Sequence, residues 1–190
     1  MSVKLGKRSL DGRRRSIVRL GNPVLRQRAE EVARERFATR FLRDLERDLL
    51  RTMFEDAGVG LAATQVGVPL RAFAYYVPGE GDDDEVAPRV VFNPSLTLLG
   101  EPTELGWEGC LSIPGLRGLV ARYPRLHLEG QDSDGHPIRL DAEGFHARVI
   151  QHEFDHLDGI VFLDRMGSPR SLAFEPEWER YVLDGGRDDG

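Results

Sequence analysis

The pattern of apolar residues predicts an amphipathic helix in the first third of the chain. Thr39 can cap its N-terminus, and the helix is expected to run to about Glu55. Apolar residues recur at helical spacing along one face of this segment: Phe41, Leu42, Leu45, Leu49 and Met53. We therefore expect these five side chains to pack into the core.

A second helix is predicted from about Ala142 to Leu157, with Asp141 as its cap and Asp158-Gly159 as its end. One face of this helix carries four residues at helical spacing: Phe145, Val149, His152 and His156. The two histidines are therefore expected to point inward, where a buried imidazole needs a polar partner.

The segments that favour strands are short and are separated by turns rich in glycine, proline and acidic residues. They lie at 71–77, 90–92, 96–98, 119–121, 125–129 and 137–141, and the last two predict a hairpin that turns at Asp134-Gly135. A short last helix is expected at 176–183. The pattern predicts an α+β fold, a single domain of short, mostly antiparallel strands around the central helix that carries the histidines.

The composition is that of one globular domain. The chain has 190 residues, of which 40% are hydrophobic and 31% charged, so it can form a substantial core. No apolar run approaches the roughly 20 residues of a membrane span, and no segment resembles a secretory signal. The single cysteine, Cys110, excludes an intrachain disulfide. These features favour the cytoplasm, with an organelle as the less favoured location.

The net charge of −6 conceals a basic N-terminus, because residues 1–28 contain nine Lys or Arg and only one acidic residue. We interpret 1–16 as a basic arm, 17–172 as a catalytic domain and 173–190 as a short helix followed by an acidic tail. The arm is expected to be solvated; weak attraction to ribosomal RNA and an organellar leader are the alternatives. The acidic loop 79–85 has no predicted role, and neither DNA nor a membrane is expected as a partner.

The motif His-Glu-x-x-His at His152–His156 carries the strongest chemical signal. Residues four apart on a helix leave from the same face, so both imidazoles could hold one divalent metal ion. Glu153 would then stand beside the first ligand, placed to act on a metal-bound water. The alternative is two unrelated surface or core histidines. A catalytic site of this kind needs a third protein ligand, and the spacing does not say which residue supplies it.

Three blocks of sequence closely resemble the signature motifs of peptide deformylases. They are Gly58-Val59-Gly60-Leu61-Ala62-Ala63-Thr64-Gln65, Glu108-Gly109-Cys110-Leu111-Ser112 and Gln151-His152-Glu153-Phe154-Asp155-His156-Leu157. The resemblance covers roughly Ile17 to Arg165. It implies removal of the N-formyl group from the initiator methionine of newly made polypeptides. It also implies one divalent metal per chain, Fe(II) in the native enzyme, while Zn, Ni or Co would also suit a thiolate with two imidazoles.

The resemblance further implies roles for individual residues. The metal ligands would be Cys110, His152 and His156, with Glu153 taking the proton of the attacking water and passing it to the leaving amine. The oxyanion would be stabilised by the Gln65 amide and the backbone N–H of Leu111. The family binds its peptide in an extended pose, which implies backbone hydrogen bonds with Gly60. Our candidates for an apolar methionine pocket are Val59, Phe145 and Val149, because the last two share the face of the histidines; simple core packing is the alternative. Glu108 is a further candidate for binding the peptide.

Other polar residues near the motifs are expected to have supporting roles or none. Glu108 could orient a metal ligand instead of the peptide, and Arg122 is expected to form an ion pair with Asp155. Arg117 is expected to face the substrate entrance. His127 and His136 fall in the predicted hairpin and are expected to be solvated and not to be ligands. His146 and Arg148 lie on other faces of the second helix and are expected to be partly exposed.

Two rival functions remain open from the sequence. One is a non-catalytic binder of formyl-peptides or of metal, and the other is a zinc endopeptidase that shares the helix motif. The endopeptidase would not need the thiol of Cys110, whereas the deformylase would need it at the metal. Metal content with and without Cys110 therefore separates these alternatives.

Overall fold

The computed structural model describes residues 11–79 and 85–183. These described residues contain four α-helices: α1 (Arg40–Glu55), α2 (Gly144–Leu157), α3 (Phe162–Arg165) and α4 (Glu175–Trp178), which continues into a π-helical turn at Glu179–Leu183. The strands are β1 (Gly60–Ala62), β2 (Ala72–Val77), β3 (Val86–Leu99), β4 (Glu104–Cys110), β5 (Ile113–Arg122), β6 (Arg125–Gln131), β7 (Pro137–Glu143) and β8 (Leu172–Phe174).

The strands form two sheets in which every neighbouring pair is antiparallel. The five-stranded sheet has the order β1-β2-β3-β6-β7, and the three-stranded sheet has the order β4-β5-β8. The predicted α+β class is therefore confirmed. None of the helices in the described part of the chain is long and apolar enough to cross a membrane.

The two long helices cover opposite faces of the five-stranded sheet. Successive side chains of a strand point to opposite faces, and β2 shows this alternation. Ala72 and Ala74 pack in the cluster that contains the buried face of α1, whereas Phe73 and Tyr75 pack with α2. The histidine-bearing helix α2 therefore lies centrally, as predicted, between the five-stranded sheet and the three-stranded sheet. The three-stranded sheet contributes Glu108 and Arg122 to buried contacts with α2.

The first predicted helix is confirmed as α1, with two differences in detail. Four of the five predicted core residues are buried, but Phe41 is 45% exposed. The guanidinium of Arg36 lies over the Phe41 ring, with Arg36 Cζ 4.7 Å from the ring centroid. Thr39 precedes the helix, yet its hydroxyl donates to the carbonyl of Arg36 and makes no capping bond. The apolar face is narrower than the spacing suggested.

The second helix begins later than predicted, because Asp141 belongs to β7 and that strand continues to Glu143. Gly144 has a φ of 55°, a conformation that glycine adopts without strain, and it allows the chain to turn from the strand directly into α2. The predicted hairpin is confirmed, and its strands are longer than expected.

The strands predicted at 90–92 and 96–98 are parts of one strand, β3. An irregularity between Phe92 and Ser95 joins them, where Asn93 has a φ of 46°. The side chain of Asn93 accepts from the N–H of Val32 at 2.7 Å and donates to its carbonyl at 2.9 Å. This contact stabilises the bulge. Because the bulge interrupts the strand pattern, the sequence predicted two short strands where the structure has one.

The described end of the basic arm lies against α1. Arg14 is bonded to Asp56, and Arg15 to the buried carboxylate of Asp48 at 2.9 Å. A Cβ on Gly12 would lie 2.1 Å from the carbonyl oxygen of Arg47, so the chain passes very close to the helix backbone. Residues 1–10, 80–84 and 184–190 lie outside the described residues, and with them most of the predicted arm, acidic loop and tail.

Candidate metal centre

Cys110, His152 and His156 form a group that could hold one metal ion. Cys110 ends β4, and α2 supplies the two imidazoles from the same face, with ring centroids 5.2 Å apart. The ligand atoms of the three residues all lie within 4.8 Å of one another, and Cys110 Sγ is 3.3 Å from His156 Nε2. One thiolate and two imidazoles fit zinc, iron(II) and similar divalent ions, so the residues present suit the implied metal.

The electrostatics of this group favour the form of cysteine that binds metals. Burial alone would raise the pKa of the Cys110 thiol, but the charge of His156 and hydrogen bonds from both histidines hold that pKa well below its ordinary value. Because the thiolate, and not the thiol, is the metal ligand, the surroundings prepare Cys110 for coordination.

Glu108 orients His152. Its Oε2 lies 2.9 Å from His152 Nδ1, which leaves Nε2 of the same ring for the metal side. Burial would raise the pKa of Glu108, but hydrogen bonds from Arg122 and His152 hold it far below its ordinary value. Glu108 lines the cavity described below, yet its carboxylate is occupied by these bonds. Of its two predicted roles, this geometry supports the orientation of a ligand.

Arg122 joins the three-stranded sheet to α2. It donates to both oxygens of Glu108 at 2.9 Å and to Asp155 Oδ2 at 2.6 Å, and all three side chains are almost fully buried. The predicted ion pair between Arg122 and Asp155 is confirmed. Arg165, which the sequence did not single out, also binds both oxygens of Asp155, at 3.0 and 2.6 Å. The network fixes the helix that carries the histidines.

Arg148 is buried, and the expectation that it would be partly exposed is wrong. Only 6% of its surface is accessible, and its guanidinium donates to Glu108 and to the carbonyls of Val120 and Glu104. A Cβ on Gly106 would lie 2.7 Å from Arg148 Cζ. The missing side chain at Gly106 makes the space that this arginine fills.

Glu153 is buried next to the metal group, and its Oε2 has no hydrogen-bond partner among the described residues. Burial raises the pKa of Glu153 to about 7. A Cβ on Gly60 would lie 2.2 Å from Glu153 Oε1, so glycine at this position leaves the space that the carboxylate occupies. Gly60 therefore has a steric reason to be glycine besides the approach of a substrate.

Gln65 presents its amide N–H groups to the cysteine. Its Oε1 accepts from the backbone N–H of Ala62 at 2.7 Å, and its Nε2 donates to Cys110 Sγ at 3.4 Å and to Ser112 Oγ at 3.2 Å. The Ala62 contact fixes which end of the amide faces the site. Leu111 lies in the turn between β4 and β5, beside Cys110, and within the described residues its N–H donates to no other backbone group.

A cavity of about 750 Å³ opens onto the metal group. Its walls include all three candidates for the methionine pocket, among which Val149 is buried and Phe145 is 49% exposed; the third is Val59. Arg117 also lines it, as expected for a residue at the entrance. Gly60 on β1 and Gly109 on β4 line it too, and both strands are at the edge of their sheets. Unpaired strand edges can bind an extended peptide through backbone hydrogen bonds.

Comparison with known proteins decides the family. A family model described as polypeptide deformylase matches residues 14–171. The chain belongs to the peptide deformylase family. Among its relatives, peptide deformylase 1 of Prochlorococcus marinus is 43% identical over 169 residues, 87% of each chain. Peptide deformylase 2 of Ralstonia nicotianae is 46% identical over 151 residues, 78% of this chain and 84% of the relative.

Solved peptide deformylases share the fold. The class I type b enzyme of Acinetobacter baumannii with bound Met-Ala-Ser matches with a TM-score of 0.76 at 31% identity, covering 82% of this chain and 99% of that one. The enzyme of Thermotoga maritima matches with a TM-score of 0.73 at 36% identity, with the same coverage. The matched region of the family model ends at residue 171, before β8 begins, so β8 and α4 both lie beyond it.

The deformylase motifs predicted the centre of the site, and the structure brings their residues together. Three supporting residues were missed by sequence reasoning: Ser112, Arg148 and Arg165. Ser112 ends the motif Glu108–Ser112, but the sequence did not show that its side chain is buried against Gln65. The two arginines carry no pattern of their own. His127 and His136 are partly exposed beside Asp141 and Asp132, and neither belongs to a group of potential metal ligands in the part of the chain described.

Replacing Arg122 with methionine is expected to lower the free energy of unfolding by about 3–5 kcal/mol, because it leaves the buried carboxylates of Glu108 and Asp155 without their shared partner. Thermal unfolding of the metal-loaded protein would measure the loss. Arg139→Met is the matched control, since Arg139 is exposed and its ion-pair partner among the described residues is the exposed Glu129. Equal melting temperatures for the two variants would contradict this account of the network.

Proposed function

We propose that this chain is a metal-dependent hydrolase that removes the N-formyl group from the N-terminal methionine of newly made polypeptides and releases formate. The observation that carries the proposal is the group of Cys110, His152 and His156 beside the buried carboxylate of Glu153, at the wall of a cavity between two strand edges. Membership of the deformylase family supports the same activity.

The metal would be held by Cys110, His152 and His156. When bound, a divalent ion supplies Lewis acidity that makes water nucleophilic at neutral pH and polarises a carbonyl group. Glu153 accepts the proton of the attacking water at its carboxylate and hands it to the nitrogen of the departing amine. Glu153 lies against Gly60, and no described residue hydrogen-bonds to its Oε2, so that oxygen is available for both transfers.

The negative charge that develops on the formyl oxygen is stabilised by two donors from the chain. One is the Nε2 amide of Gln65, whose orientation is fixed by the N–H of Ala62. The other is the backbone N–H of Leu111, in the turn beside Cys110. A donor of this kind typically contributes about 3 kcal/mol to stabilisation of the transition state.

The peptide binds in an extended conformation between the edges of β1 and β4, with the Gly60 backbone as one partner. The methionine side chain is received by Val59, Phe145 and Val149, which line the cavity beside the histidines. The bound Met-Ala-Ser of the Acinetobacter baumannii relative, a peptide that begins with methionine, supports this substrate class.

Iron(II) is the metal that we propose for the native enzyme, with zinc, nickel or cobalt as functional substitutes. The donor set supports all of these ions, and the choice rests on the family resemblance. Metal analysis of protein purified without oxygen from cells grown without added metal tests it; zinc as the main ion under those conditions would count against iron.

We also propose a cytoplasmic location and a weak contact of the basic arm with the ribosome. The excess of basic residues in 1–28 supports the contact, although Arg14 and Arg15 are already paired with acidic residues of the chain. Sedimentation with ribosomes at low and high salt, with Lys4, Lys7 and Arg8 changed together to serine, tests the contact. Ribosome binding that is unchanged by salt and by these substitutions would show that the arm does not contact the ribosome.

Formate release from formyl-Met-Ala-Ser under anaerobic conditions tests the main function. The metal-loaded protein is expected to turn the peptide over, to lose activity when a chelator removes the metal and to regain it with iron or nickel. Stoichiometric metal without formate release would favour the non-catalytic binder. Cleavage of internal peptide bonds would favour the endopeptidase.

A further inference from the structure

The segment that follows the matched family region forms part of the cavity wall. β8 extends the β4–β5 hairpin by pairing with β5, placing Ala173 opposite Arg117, and α4 follows at once. Glu175, the first residue of α4, lines the cavity together with Arg117. This contact brings a carboxylate from the C-terminal segment to the entrance of the candidate active site.

Arg117 is held in one place by this segment. Its Nε donates to Glu175 Oε1 at 3.0 Å and its Nη2 donates to the same oxygen. Its guanidinium also lies over the ring of Trp178, 5.1 Å from the centroid, and Trp178 in turn packs near Trp107 of β4. Two independent contacts from α4 therefore fix the position of one cationic side chain.

The guanidinium lies over Gly109 of β4, the strand along whose free edge the peptide would run. Arg117 faces Gly109 across the β4–β5 ladder, and a Cβ on Gly109 would lie 2.7 Å from Arg117 Nη1. Gly109 precedes the metal ligand Cys110. A substrate whose formyl group is at the metal would therefore carry its later residues past the paired charges of Arg117 and Glu175.

We propose that Glu175 is a positioning and specificity-determining residue, which neutralises Arg117 so that the enzyme accepts both acidic and basic residues after the methionine. This inference rests on the proposed function. Without Glu175, the positive charge of Arg117 would be unopposed at the cavity wall and would attract an acidic substrate side chain while repelling a basic one. Without Arg117, the carboxylate of Glu175 would have the opposite effect.

The test compares kcat/KM for formylated tripeptides that carry Asp or Lys at the second or at the third position, with formyl-Met-Ala-Ser as the neutral reference. Each variant is described by its ratio of acidic to basic peptide, so differences in active fraction cancel. Arg19, another cavity residue, is unchanged throughout and contributes equally to every ratio. Glu177→Gln is the control, because it removes the same charge from an exposed position of α4 outside the cavity wall.

Glu175→Gln is expected to raise the acidic-to-basic ratio by about fivefold at one of the two positions, the upper range for a partly exposed charge contact. Arg117→Gln is expected to lower the ratio, the double variant to return it towards the wild-type value, and 1 M salt to reduce all of these shifts. A Glu175→Gln ratio equal to that of Glu177→Gln at both positions would overturn the proposal, as would an equal loss of activity on every peptide. Failure of the proposed function itself would appear separately, as no turnover of the neutral peptide.

Discussion

Replacing Glu153 with glutamine is expected to lower kcat for formyl-Met-Ala-Ser by about 100- to 10,000-fold while the metal stays bound. Glutamine keeps the size of the side chain but can neither accept the proton of water nor deliver it to the leaving amine. Glu153 does not belong to the group of potential ligands, and it is buried at the cavity wall against Gly60. The change should therefore affect proton transfer and leave the metal site intact.

The stability of the Glu153 variant should not fall, because the carboxylate is desolvated and its Oε2 has no partner among the described residues. Formate release, metal content and melting temperature would be measured together. Glu143→Gln serves as the control and should retain full activity, since Glu143 is exposed at the end of β7. A metal-loaded Glu153→Gln protein with more than a tenth of the wild-type rate would assign the proton transfer to another group.

Replacing Cys110 with serine is expected to abolish stoichiometric metal binding and, with it, deformylation. A serine hydroxyl does not ionise near neutral pH, whereas the surroundings of Cys110 hold the pKa of its thiol well below the ordinary value, and the thiolate is the ligand. Losing a partner that only orients a ligand typically costs about 10- to 100-fold in metal affinity. The loss of the ligand itself should exceed that range.

Metal content by elemental analysis and the thiolate-to-cobalt absorption of the cobalt-loaded protein would measure this effect. His127→Ala is a suitable control, because it removes a partly exposed imidazole that belongs to no candidate metal group among the residues described. Unchanged cobalt affinity in Cys110→Ser would show that the thiol is not a ligand. The zinc endopeptidase would then be the better interpretation of the helix motif.

The helices were easier to predict than the three-stranded sheet, and the glycines of that sheet explain the difference. β4 was not predicted and β5 only in part, because glycine weakens the strand pattern at positions such as Gly106, Gly109 and Gly118. Each of these glycines makes room for a side chain from elsewhere, including Arg148 at Gly106 and Met166 at Gly118. These strands are determined by tertiary contacts with residues distant in sequence. The local sequence does not show those contacts, so it could not predict the strands.

The chemical centre was predictable because its residues lie in short motifs with fixed spacing. The structure places the thiol of Cys110 and the imidazoles of α2 together, as the motifs implied. The surrounding network was only partly predictable: the pair of Arg122 and Asp155 was expected, whereas the burial of Arg148 was not. A sequence gives no sign that an arginine on a helix is buried, so Arg148 was predicted to be partly exposed. Its burial depends on the space left by Gly106 on a strand distant in sequence.

The placement of the three candidate ligands on two layers would give a bound metal ion a mechanical role. Cys110 and His156 are 46 positions apart in sequence, one at the end of a strand in the smaller sheet and the other on the helix that covers the larger one. An ion between them would close a long loop, and such closures restrict the chain most when the loop is long. Chelation would then do to this fold what reduction of a disulfide does to a secreted protein: the smaller sheet would lose a crosslink to the rest of the molecule.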